Sequence, residues 1–459
     1  GNKYAKAAAG LTAGGFGVGI LLLILDGLGY FGGVANPGKG TILATDWVSL
    51  LFGVAVLSTS FLVGITALDY MEGTPNLASF YGLLVFTTIG ALLLTFATDL
   101  IMIFIAWELM SIPSYVLTGF RKNDSNSNEA SVKYFIISAF SSAVLLYGIS
   151  LVYLITGTTN IYQIVSQVSA VEPIAILALT FVLAGFGIKL AAVPFHMWIP
   201  DAYQGAPTIV STLLSAGTKG ATFAPAARIF FIIFAAHAFQ VDWSITFAVL
   251  AVLSMTLGNF AALTSKSVTR ILAYSSIGQA GYILIGFAAG GTAGLTGSFF
   301  HILNYAIMQS GAFLAVALIS KKLGTDNLSA YDGLGKRMRI APLALTLSLL
   351  ALGGFPPLNG FWSKIVIFYS AINTPNLAWL AVIAIINSFV SIGFYVRIVK
   401  HMYVDEPVTA DKISEPSGFS LALIISSIII VFIGIYPYPF LQFASTTASS
   451  FLKELQALI

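Results

Sequence analysis

Apolar residues run along this chain in blocks long enough to read as transmembrane helices, for which roughly 20 apolar residues suffice. The clearest blocks lie at 50–68, 81–98, 135–155 and 243–263, separated by short clusters of Gly, Pro, Asn, Asp, Lys and Arg. The pattern predicts thirteen spans: 7–31, 47–68, 78–96, 99–119, 132–156, 174–192, 207–235, 243–263, 271–290, 298–320, 340–373, 377–399 and 418–440. The tail 441–459 (LQFASTTASSFLKELQALI) is too polar to cross and reads as an amphipathic helix lying along the interface. No soluble linker or low-complexity stretch interrupts the series. The expected fold is an all-α integral membrane protein forming one membrane domain over 1–459.

Two spans carry sequence that cannot stay helical. The sixth runs into AAVPFHMWIPDAYQGAP, and the eleventh contains GGFPPLNGF at 353–361. The eleventh is long enough, roughly 50 Å if helical, to tolerate an interruption. Irregular backbone at membrane depth persists only where it is buried in protein or lines a watery cavity. Paired breaks, one in each half, point to an internally duplicated transporter with its polar path between them. The second break should free carbonyls around Ala351–Gly354, which then need donors.

Composition narrows the class. Hydrophobic residues make up 58% of the chain and charged ones 8%, against about 25% charged in soluble domains. There is no cysteine, which removes cysteine-ligated iron–sulfur clusters, c-type haem and disulfides. Histidines stand apart at 196, 237, 301 and 401, so no metal site is expected. No cleavable signal peptide is visible, and the first span can insert itself. The net charge of +3 matters less than its distribution. With a cytoplasmic N-terminus, fifteen Lys and Arg collect on the cytoplasmic side and three (Lys39, Arg228 and Lys453) on the other. The positive-inside rule then places the C-terminus outside a prokaryotic plasma membrane.

Three lysines fall inside spans: Lys189, Lys219 and Lys364. Glu108 lies near the middle of DLIMIFIAWELMSIPSYVL. A charge at this depth costs several kcal/mol by insertion scales, at about 2.5–3.5, so such groups face a hydrated interior or a partner. Burial favours a neutral lysine and a nearby carboxylate favours a charged one. A Glu108–Lys189 pair that forms and parts would therefore switch the amine, as a proton relay requires. His301 and His196 are further relay candidates. His196 and Asp201 could equally cap backbone in the first break, and Lys364 could satisfy the carbonyls of the second. Asp99 reads as an N-cap.

The same residues carry a resemblance. WELMSIPSYVL (107–117), KLAAVPFHMWIPDAYQGAP (189–207), RILAYSSIGQAGYILIG (270–286) and GGFPPLNGFWSK (353–364) resemble, in order, the antiporter-like membrane subunits of respiratory complex I, most closely the N-subunit branch. The resemblance implies proton translocation through Glu108, Lys189, Lys219 and Lys364. It implies two inverted five-helix repeats, 78–235 and 243–403, each with a broken helix. It also implies L- and M-like membrane subunits and lipids as partners, with no nucleic acid. Related L and M subunits carry a lysine in the tenth span, where YAIMQSGAF has none. The family core has fourteen helices, so the first is expected to be missing ahead of Gly1. No redox centre or cofactor is expected in this chain, leaving the electron donor (NADH, a reduced deazaflavin or ferredoxin) to other subunits. Alternatives of the same fold are a subunit of a multi-subunit Na⁺/H⁺ antiporter or of a membrane-bound hydrogenase.

Overall fold

The computed structural model describes residues 2–30, 34, 40–74, 76–167, 173–233, 243–407, 409 and 411–456. Lys39 and His237 lie outside these residues, as do the last positions of the first and seventh expected spans. In chain order the helices are α1 (Asn2–Gly27), α2 (Trp47–Tyr70), α3 (Leu77–Phe96), α4 (Leu100–Thr118), α5 (Ser125–Thr156), α6 (Ile161–Gln167), α7 (Pro173–Leu190) and α8 (Trp198–Gly205). Next come α9 (Thr208–Thr212), α10 (Lys219–Arg228), α11 (Trp243–Thr264), α12 (Val268–Ala289) and α13 (Gly291–Leu323). The chain continues with α14 (Leu334–Arg337), α15 (Ile340–Gly353), α16 (Asn359–Asn373), α17 (Ala378–Tyr403), α18 (Ser417–Ile435) and α19 (Tyr438–Gln456).

Eleven of these helices are long and apolar enough to cross a membrane. The two remaining expected spans are present in pieces. One joins α9 and α10 through a π-helical turn at Leu213–Thr218, with a second π turn at Ile229–Ile233. The other is α15 and α16, separated by the break at 354–358. The long α5 and α13 extend beyond their expected limits at one or both ends, because polar sequence stays helical past an apolar core.

The bundle is apolar on its outside, and its interior mixes a large apolar core with buried hydroxyls, amides and a few charges. Phe140, Phe389, Ile428 and Leu154 point outward and are more than half exposed, which suits hydrocarbon and not water. Ser, Thr and Asn face neighbouring helices instead. Thr59, Thr66, Thr87 and Thr88 return their hydroxyl protons to carbonyls of their own helices, which keeps these hydroxyls satisfied where the helices pack closely. Helix α13 is buried along its whole apolar window and packs on α2, α12, α15, α16, α18 and α19. In the first half α3 pairs with α4, and α5 with α7 and α8. In the second, α11 pairs with α12, and α13 with α15 and α16.

Helix ends gather at two faces. One is the basic end, where Lys321 donates to the Asp69 carbonyl (2.6 Å) and Gly418 N–H to the Asp69 carboxylate (2.8 Å). At the opposite end Asp46 caps α2 through a capping box with Ser49, and Asn160 and Thr98 both donate to the Thr41 carbonyl. The tail is helical, as its pattern predicts, and α19 buries Ala444, Thr447, Ala448, Phe451 and Leu455.

Candidate functional site

Helix α4 carries Glu108 and Ser111. Asp99 caps it, accepting from the amides of Ile101 (2.8 Å) and Met102 (3.2 Å). The helix lies hard against α3 at Gly90, where a Cβ would fall 2.2 Å from the Met110 nitrogen, so any side chain would push α4 away. Lys189, next to last in α7, is buried. Its Nζ donates to Ser111 Oγ (2.8 Å) and Tyr134 OH (3.0 Å). The rings of Trp107, Tyr115 and Tyr134 surround it at 5.8, 5.8 and 5.1 Å, within cation–π range.

The lysine is tied to the break that follows it. Trp198 of α8 stacks on Tyr134 (4.7 Å) and donates to the Ile188 carbonyl (3.0 Å). Ala191 adopts a left-handed conformation (φ 66°), uncommon for a residue with a Cβ. Val193 N–H is satisfied by Ser254 Oγ of α11 (3.0 Å). Glu108 does not touch Lys189. No ion pair joins them, and Glu108 Oε1 is buried without a hydrogen-bond partner among the described residues. Hydroxyls, not the carboxylate, hold the ammonium in this state.

Lys219 follows the π turn directly. Such turns are rare and occur mostly at functional positions. Nζ donates to the Ser276 carbonyl and to Ser276 Oγ, both at 3.0 Å. Helix α12 thus receives the central lysine on one side. On another side it presents Ser275, which shares a hydrogen bond with Tyr395 (2.5 Å), and Gln279.

In the second half α15 ends at Gly354 in the left-handed region (φ 86°), and α16 begins at Asn359. The two pieces turn back closely at Gly360, where a Cβ would sit 1.8 Å from the Ala351 carbonyl oxygen. Donors reach the freed carbonyls as expected. Lys364 Nζ donates to Gly353 O (3.1 Å) and Ser388 Oγ (3.0 Å), and Gln279 Nε2 to Leu352 O (3.1 Å). The Tyr282 ring lies 4.5 Å from the ammonium.

Gln279 donates its amide to Leu352 and Tyr395, so its oxygen accepts from His301 Nε2–H (3.0 Å). His301 Nδ1 faces Ser363 Oγ (2.9 Å), a hydroxyl that can donate or accept. The imidazole can therefore be neutral, with Ser363 donating, or charged, with Nδ1–H donating. Ser363 directly precedes Lys364. His301, fully buried, joins the lysine cluster.

His196 stays apart, with a buried Nδ1 that has no partner. Asp201 does not cap backbone. It pairs with Lys133 (2.9 Å) of α5 and Arg270 (2.9 Å) of α12, on the wall of a cavity of about 710 Å³ at the basic end. Arg228, counted from the sequence on the side opposite the basic one, is wholly buried and bidentate on Asp46 (2.5 and 2.9 Å). Asp332, His401 and Asp405 bring ligand-type atoms within 4.8 Å of one another, with His401 Nδ1 hydrogen-bonded to Asp332 and 3.2 Å from Asp405.

Residues 97–391 match the family described as NADH:quinone oxidoreductase/Mrp antiporter, TM. The chain is 42% identical over 418 residues to the F(420)H(2) dehydrogenase subunit N of Methanosarcina mazei, covering 88% of this chain and 84% of that one. It is 39% identical over 439 residues to the NADH-quinone oxidoreductase subunit N of Trichlorobacter lovleyi, covering 92% and 89%. Its fold matches a chain of respiratory complex I from Thermus thermophilus with a TM-score of 0.80 at 29% identity, over 96% of this chain and 95% of that one. It matches one of the Mrp complex from Dietzia with 0.88 at 22%, over 99% and 95%, a likeness of fold alone. A matched region spanning most of the chain, and relatives this similar over nearly their full length, place the chain in the NADH:quinone oxidoreductase/Mrp antiporter membrane family, alongside the N subunits of respiratory dehydrogenases.

Proposed function

We propose that this chain is a proton-translocating membrane subunit of a complex I-like respiratory dehydrogenase, coupling electron transfer in other subunits to proton movement. The observation that carries the reading is a set of three buried lysines, Lys189, Lys219 and Lys364, each hydrogen-bonded to at least one serine hydroxyl. Hydroxyls can accept and donate at once, so they pass protons between neighbours where a fixed counter-charge would trap them. The proposed line runs from Glu108 and Lys189 through Lys219 to α12, then by Gln279, His301 and Ser363 to Lys364. Ordered water spans the intervals between hydrogen-bonded groups.

In this reading residues 78–235 and 243–403 are inverted repeats, each contributing one broken helix. The chain holds no redox centre and takes part in the oxidoreductase as a translocating subunit. Its partners are further membrane subunits, L- and M-like ones among them. Its basic end faces the cytoplasm of a prokaryotic cell, and α19 lies at the outer surface. A subunit of a multi-subunit Na⁺/H⁺ antiporter is the alternative, and the proteins that co-purify with the chain separate the two.

Lys219→Ala in the intact complex tests the proposal. Electron transfer and assembly should persist while proton pumping in reconstituted vesicles falls by about tenfold or more. Wild-type pumping by that variant would overturn it.

A further inference from the structure

At the end opposite the basic face, three polar atoms lie buried with no hydrogen-bond partner among the described residues: Tyr162 OH, Arg228 Nε and Glu454 Oε2. They belong to one cluster. The Arg228 guanidinium spends its two terminal nitrogens on Asp46 and on the Thr95 carbonyl. Asp46 in turn accepts from Ser49 N–H (2.7 Å) as the cap of α2. That pair is complete and neutral. Helix α19 then brings a second carboxyl beside it, seated by the buried stripe of Ala444, Ala448, Phe451 and Leu455. Tyr162, 2% exposed, stands beside both the arginine and this carboxyl.

One guanidinium shared by two carboxylates leaves the second under-compensated. Burial first, and then Asp46, push the Glu454 carboxyl up to about 7, against the opposing pull of Arg228 and Tyr162. The charged or titratable groups around it are Asp46 at the head of α2, Arg228 on α10 and Tyr162 on α6, with exposed Lys453 beside it on its own helix.

We propose that Glu454 is a proton-release group, the last carrier on a branch that leaves Lys219 along its own helix. This rests on the proton-translocating reading above. Arg228 lies nine residues beyond Lys219, about 14 Å along the helix axis, so the cluster sits below the central lysine at the opposite end. The step is a simple transfer. The Glu454 O–H bond breaks, its proton passes to water at that end, and the carboxylate left behind gains the two unspent donors, Arg228 Nε–H and Tyr162 O–H. A proton arriving from the Lys219 side restores the acid. Arg228 Nε–H and Tyr162 O–H, which have no other partner among the described residues, are donors that bind the charged carboxylate more strongly than the neutral acid.

The test uses the intact complex in vesicles, measuring pumping per electron transferred across pH. Glu454→Gln should assemble, lose about threefold of the ratio, and lack the inflection near pH 7 expected of the wild type. Glu454→Asp should recover part of it. Infrared difference spectra between acidic and neutral pH should contain a carboxylic-acid band that Glu454→Gln removes. A Gln variant with the wild-type ratio, profile and band overturns the inference. Should Glu454→Gln fail to assemble, Tyr162→Phe decides: it keeps the ring packing, and an unchanged profile there also overturns the inference. Lys219→Ala run in parallel separates the two claims. If Lys219→Ala is inactive while Glu454→Gln is normal, only the release group is wrong; if Lys219→Ala pumps normally, the relay itself is.

Discussion

In the first broken helix the lysine stands two residues before the left-handed Ala191, and its ammonium is held by Ser111 and Tyr134 within an aromatic wall. In the second it stands ten residues after the left-handed Gly354, and it reaches back to the Gly353 carbonyl and to Ser388. Both breaks place an amine where helix has failed, but they give it different companions. Two hydroxyls can exchange roles with the amine. A carbonyl only accepts, so Lys364 also repairs the backbone that its own break exposes. The proposed relay role and a structural clamp are therefore not exclusive at Lys364, whose ammonium binds both a carbonyl and a hydroxyl.

The sharpest probe of that difference is Lys364→Arg. Arginine can satisfy Gly353 O but holds its proton at any working pH. The variant should assemble normally and lose about tenfold of its pumping; pumping at the wild-type rate would show that Lys364 is only a clamp. A smaller effect is expected at Glu108, which lies near Lys189 without touching it. Glu108→Gln should slow coupled turnover about fivefold, with Glu108→Asp retaining part of the activity. Equal rates for Gln and wild type in a membrane turnover assay would remove Glu108 from the path. The mildest change is Ser388→Ala, which leaves the Gly353 bond to Lys364 intact and should cost about twofold. A loss as large as that of Lys364→Arg would mean that the hydroxyl, not the amine, sets the second half's rate.

Much of this was legible in the sequence because charge is conspicuous in apolar sequence. Lys189, Lys219, Lys364 and Glu108 stand out for that reason alone, and the prolines of both breaks announce them. The partners did not stand out. Ser111, Tyr134, Ser276 and Ser388 look like the many hydroxyl residues that simply bond back to their own helix, as Thr59 and Thr66 do. The π turn before Lys219 is silent too, since LLSAGT fits regular helix equally well. Arg228 could be assigned to a side from the sequence but not to a partner, since only tertiary packing reveals that Asp46, 182 residues earlier, meets it. The Glu108–Lys189 pair, expected to form and part, is not formed in this structure, where Ser111 and Tyr134 take the ammonium instead.

Helix α12 has a thermodynamic consequence. Ser276 binds the central lysine, while Ser275 and Gln279 on the same helix bind the groups around His301. In the proposed relay, this one helix is the element that would couple the two sides. Linkage then requires reciprocity: whatever factor the proton at one site imposes on affinity at the second, the second imposes on the first. A substitution at Gln279 that loosens this coupling cannot weaken it in one direction alone, so in equilibrium titrations the dependence of each site's proton affinity on the other should fall by the same factor.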